Sequence, residues 1–106
     1  MKQADDSIVL YTIAYARSGD KGNNSNIGVI AFTEEGYATL LKRLTEDKVK
    51  SYFAALSPTK VVRYELPNLL ALNFILVGVL AGGGSRSLRI DSQGKALGQA
   101  ILEMRI

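Results

Sequence analysis

A chain of 106 residues, 47% hydrophobic and 22% charged, has room for one domain spanning 1–106 and is too apolar for a disordered segment. It has no Cys, which excludes disulfides, thiolate nucleophiles, zinc–thiolate sites and thiolate-held iron–sulfur clusters, and no His, the side chain best suited to proton transfer near neutral pH. Thirteen basic residues against 10 acidic ones leave a charge of +3, scattered rather than clustered, so no nucleic-acid tract is evident and neither a metal nor a cofactor is expected.

Residues 1–6 lack the charged-then-apolar layout of a secretory signal and are expected to be flexible. Ile8 to Ala16 is β-branched and aromatic with apolar residues on both faces, as in a strand covered on both sides or by a neighbouring subunit. Residues 17–25, Arg-Ser-Gly-Asp-Lys-Gly-Asn-Asn-Ser, are dense in turn formers and read as a long loop. Asn26 to Phe32 reads as the second strand of a hairpin with an elaborate connection. Thr33 caps a helix with Glu34 and Glu35 in its first turn and an apolar stripe of Tyr37, Leu40, Leu41 and Leu44. Thr45 begins another by the same logic, with Val49, Tyr52, Phe53 and Leu56 as its stripe and Pro58 beyond its end.

Lys60 to Leu66 alternates as a half-buried strand, with Val62, Tyr64 and Leu66 on one face, Arg63 and Glu65 on the other, and Pro67 stopping it. Leu69 to Ala81 is apolar nearly all round, as in either a buried helix or a strand; its length favours the helix, with Asn68 as its cap, while Ile75, Val77 and Val79 suit the strand. That run is too short to span a bilayer, so a cytoplasmic location is expected and membrane association is not. Gly82-Gly83-Gly84-Ser85 ends it. Asp91 precedes a last helix with Leu97, Ala100, Ile101 and Met104 on one face.

Two polar segments are candidates for binding. In the first, Arg17, Ser18, Asp20 and Lys21, with Asn26 just beyond, offer a guanidinium, an ammonium, a carboxylate and neutral donors around Gly19 and Gly22, whose backbone N–H groups can converge on an anion. It lacks the Walker spacing, and a polar hairpin held by an Arg17–Asp20 pair accounts for it more simply. In the second, Arg86, Ser87 and Arg89 beside a glycine run suit phosphate or carboxylate, against the plainer reading of a helix stop with Arg89 paired to Asp91. The two segments are expected to lie side by side as one net-positive patch. Asn73, inside an apolar run, is expected either to be hydrogen-bonded in the core or to face a site.

Four segments in succession carry a family resemblance: Arg17 to Gly22 followed by Asn26-Ile27-Gly28-Val29; Arg63 to Asn68; Leu72-Asn73-Phe74; and Gly82 to Ser85 leading to Ser87-Leu88-Arg89 and Asp91 with Gly94-Lys95. Together they resemble the C-terminal domain of the acyclic terpene utilisation protein AtuA, from about Leu10 to the end. The resemblance implies an α+β, ferredoxin-like small sandwich: a β-hairpin followed by helices, one further strand and C-terminal helices, here as a small domain standing alone. It assigns no catalytic residue. The missing His and Cys favour an accessory or interaction domain, which the resemblance places in acyclic terpene or branched acyl-CoA catabolism beside a larger AtuA-type subunit, and the surplus apolar surface of Ile8–Ala16 and Leu69–Ala81 predicts a homo-oligomer. The alternative is an enzyme or ligand-binding subunit for an acyl-CoA or carboxylate, with Arg17, Lys21, Arg86 and Arg89 gripping the anion and Asp20 as the acid–base group.

Overall fold

Strand β1 (Ala14–Lys21) turns directly into β2 (Asn24–Ala31), pairing antiparallel from Ala14↔Ala31 to Lys21↔Asn24. The computed structural model in which this is seen describes residues 7–79 and 95–106. The connection is therefore the two residues Gly22-Asn23, and not the elaborate loop that the turn formers of 17–25 suggest. Gly22 has φ +60°, which fits the glycine at the first central position of a type II′ hairpin turn. Most of the polar segment is thus strand, and of the apolar residues before it only Ala14–Ala16 are: Leu10–Thr12 form a 3₁₀ turn, preceded by an isolated bridge from Val9 to Arg105.

Helices α1 (Glu34–Arg43) and α2 (Glu46–Tyr52) start where the sequence places them. The Gly36 N–H donates to Thr33 Oγ1 at 2.9 Å and the Lys48 N–H to Thr45 Oγ1 at 3.2 Å, so each threonine satisfies one of the free amides of a first turn. Strand β3 (Lys60–Leu66) also keeps its expected bounds. The run that follows is corrected: Ala71–Val77 is strand β4, not a helix. A 3₁₀ turn, Pro67–Leu69, and a left-handed Leu70 (φ +55°) deliver the chain into it. Asn68 lies in that turn and is no helix cap. β4 is an inner strand with apolar residues on both sides, and such a strand shares its all-round apolarity with a buried helix. The last helix is α3 (Lys95–Leu102).

The four strands form one antiparallel sheet in the order β1-β2-β4-β3. All three helices lie on one side, α3 along β1, α1 over β2 and β4, and α2 against β3. Between layers sits a single core, with Ile27, Val29, Leu72, Phe74 and Leu76 from the sheet meeting Leu40, Leu44, Val49, Leu97 and Ile101 from the helices. This is the expected α+β, ferredoxin-like arrangement. No described helix is long and apolar enough to cross a membrane.

Candidate functional site

Side chains alternate across a strand, so each strand that feeds the core must present its other residues to the far side of the sheet. Among the described residues nothing packs on that far side. The register places three rows there. The central row runs Arg17, Gly28, Asn73, Tyr64. Towards one end lies Tyr15, Ile30, Ala71, Leu66; towards the hairpin turn lies Gly19, Asn26, Ile75, Val62. The face is therefore apolar over much of its area, with a polar line through its middle.

Its exposed side chains are large. Tyr15, Phe32, Tyr64 and Leu66 are 44%, 56%, 53% and 40% exposed, and the Tyr15 and Phe32 rings stack with centroids 5.9 Å apart. Ile30, Val62, Ile75 and Val77 are half-buried among their sheet neighbours, yet none packs against the core beneath. At the centre the Asn26 side-chain N–H donates to Asn73 Oδ1 at 2.8 Å. That diagonal amide pair leaves one carbonyl and three further N–H donors for whatever approaches. Gly28, beside Asn73, keeps the middle of the face hollow: a Cβ built there would find its nearest neighbours at 3.8 Å or more.

The candidates from the first polar segment separate. Arg17 is exposed on the open face and makes no ion pair among the described residues; Asp20, three residues on, points to the opposite side of β1, so the expected Arg17–Asp20 pair does not form. Ser18 also faces the helices, and its Oγ accepts the Gly98 N–H at 3.0 Å, fastening α3 to β1. Lys21 ends the strand opposite Asn24. Asn26 does belong to the open face, and Asn73 faces the same site. The structure thus brings Arg17, Asn26 and Asn73 together and takes Ser18 and Asp20 away. Arg86, Ser87, Arg89, Asp91 and the expected flexible residues 1–6 lie outside the described residues.

The orientation of β3 also reverses an expectation. Val62, Tyr64 and Leu66 lie on the open face, whereas Arg63 and Glu65 lie on the helix side. Arg63 can be there because its Nη1 donates to the carbonyls of Leu41 at 3.1 Å and Leu44 at 2.9 Å, at the end of α1. Sequence reasoning missed Gly28 and Tyr64 as site residues. The available signal was a lone glycine inside a strand pattern, which marks a place where something comes close to the backbone.

The described residues form a two-layer α+β domain that folds around one core and leaves the other, largely apolar face of its sheet uncovered among them. The family model described as the AtuA ferredoxin-like domain matches residues 8–106, and the chain belongs to that family. The term describes topology, since a chain without Cys offers no thiolate for an iron–sulfur cluster. Comparison with curated proteins and with solved structures returns no match.

Proposed function

We propose that the chain is an accessory domain for assembly in AtuA-type proteins, which serve the catabolism of acyclic terpenes or branched acyl-CoA compounds, and that it associates through its open sheet face with itself and with a larger AtuA-type subunit. The observation that carries this reading is the face itself. Tyr15, Phe32, Tyr64 and Leu66 stand exposed on one surface beside Ile30, Val62 and Ile75, all without a core to enter. A contiguous apolar patch of this kind on a small domain marks an interaction surface. Hydroxyl-radical labelling tests it. In the assembled protein, co-expressed with a larger AtuA-type subunit, Tyr15, Phe32 and Tyr64 are expected to be protected, while Tyr52, 40% exposed on α2, labels as in a dilute sample. Equal labelling of all four rings would overturn the reading.

One observation favours a second reading, a subsite for a carboxylate or acyl-CoA. Among the described residues the charged side chains on the open face, Arg17 and Lys60, are basic, and the Asn26–Asn73 amides share that face with Arg17. A guanidinium next to amide donors suits a carboxylate. A thermal-shift screen with coenzyme A thioesters separates the readings: a ligand at about a hundredfold excess over its dissociation constant adds ~2.7 kcal/mol of stability.

A further inference from the structure

We infer that the open face is filled by a second copy of this chain, docked sheet to sheet about a two-fold axis that runs along the strands between β2 and β4; this rests on the assembly reading above and names its occupant. The argument is one of self-complementary relief. Such an axis reverses the strand order while preserving each row, so β1 of one copy lies over β3 of the other and β2 over β4. In the central row Gly28 then faces Asn73 of the second copy, and Arg17 faces Tyr64. In the row towards the turn Gly19 faces Val62, and in the third row Ala71 faces Ile30. Three small residues thus each meet a larger one. A sheet interface needs that alternation of small and large to interdigitate.

The polar groups fit the same arrangement. A guanidinium over a tyrosine ring is an attractive pairing that tolerates partial desolvation. The Asn26–Asn73 pair carries both unused donors and an unused acceptor, so an identical pair approaching across a two-fold axis can satisfy it. A purely apolar partner would instead bury those groups unpaired, at a cost. Charge works against the dimer at the rim, where each copy carries Lys60 in the row nearest the turn.

The area is modest. Four strands ~4.8 Å apart and seven residues long at ~3.3 Å each give a flat footprint of roughly 440 Å² per copy. Two copies with side-chain relief then bury somewhat more than ~900 Å², near the ~1,000 Å² that a specific interface must clear. An interface of that size fits a weak association, and a dissociation constant in the micromolar range is expected.

Sedimentation equilibrium of the chain alone, over about 5 to 200 µM to bracket a micromolar constant, is the test. Twice the monomer mass is expected at the upper end. Raising salt should tighten the association, because it screens the rim lysines, whereas binding to an anionic partner would weaken. Gly28→Val adds a side chain into space that is open in the monomer, so the fold and its melting stay intact while association falls at least ~10-fold, as expected for a filled hollow in an interface. Gly19→Val, where a Cβ meets nothing within 4 Å, should act likewise, and adding Val62→Ala should restore the dimer by exchanging knob and hole. A dimer that survives Gly28→Val, or a Gly19→Val loss that Val62→Ala does not relieve, would overturn the inference. A chain that stays monomeric while the larger subunit protects Tyr64 would refute the second copy and leave the assembly reading standing. A monomer with no protection anywhere would end both.

Discussion

Arg63 lies on the helix side of β3 with its side chain 19% exposed, where a positive charge must find acceptors to be tolerated. It finds two carbonyls that α1 leaves free at its end, those of Leu41 and Leu44, and the nearby C-terminal end of the helix dipole favours its charge. The ion pair with Glu65 at 3.1 Å reaches a carboxylate that is 55% exposed, so it adds little beside them. Arg63→Ala is therefore expected to cost about 2 kcal/mol, the scale for charge-assisted hydrogen bonds to buried acceptors, read as a lower denaturation midpoint. Arg63→Lys should recover only part of it, since an ammonium cannot reproduce the planar fork. Tyr37 offers a second residue to check. Its buried hydroxyl makes no hydrogen bond of good geometry among the described residues, and burial first, then the Glu65 charge, raise its pKa above the usual 10.0. The folded state then holds the phenolic proton where the unfolded chain would release it. Tyr37 thus weakens the fold as pH climbs above 10.0, and not below it. Urea midpoints for the wild type should fall from pH 9 to pH 11, and Tyr37→Phe should reduce that fall. An unchanged slope would place the alkaline sensitivity elsewhere.

At the scale of elements, local chemistry was easiest to read where it acts locally. Thr33 and Thr45 announced α1 and α2 because a side-chain cap involves only the next three residues. β4 was hidden for the opposite reason. Its identity depends on β2 and β3, which pair with it from both sides and lie 40 or more residues and a few residues away in sequence. The polar residues of β1 were hidden in the same way: Arg17, Gly19 and Asp20 look like a loop until the Gly22 turn sets their register. α3 shows what close packing does to propensity. Gly98 lies within this helix, where alanine would ordinarily stabilise by about 1 kcal/mol. A Cβ there would meet Ser18 Oγ at 3.2 Å and strand backbone at 3.4 Å. Gly98→Ala is expected to bring no gain in melting temperature, and Gly98→Val a clear loss. A stabilised Gly98→Ala protein would mean that α3 can ride away from β1 freely.

For the whole molecule, the α+β class and the one-sided helical cover follow from amphipathic stripes that a reader can count along the chain. The open face does not follow from them. It needed the sheet order, because only β1-β2-β4-β3 brings Arg17, Gly28, Asn73 and Tyr64 into one row. Asn73 could be flagged from its apolar surroundings, but whether it looked inward or outward depended on β4 being a strand. The two ends of the domain were equally illegible. Ile8 and Ile106 exchange backbone hydrogen bonds at 2.9 Å in both directions, and the Leu10 N–H donates to the Met104 carbonyl at 2.8 Å. The polypeptide therefore enters and leaves at one point. Tension applied through both ends falls on this short clasp, bond by bond, before any of it reaches the sheet. A tug between neighbours in an assembly would loosen the clasp while the open face kept its shape.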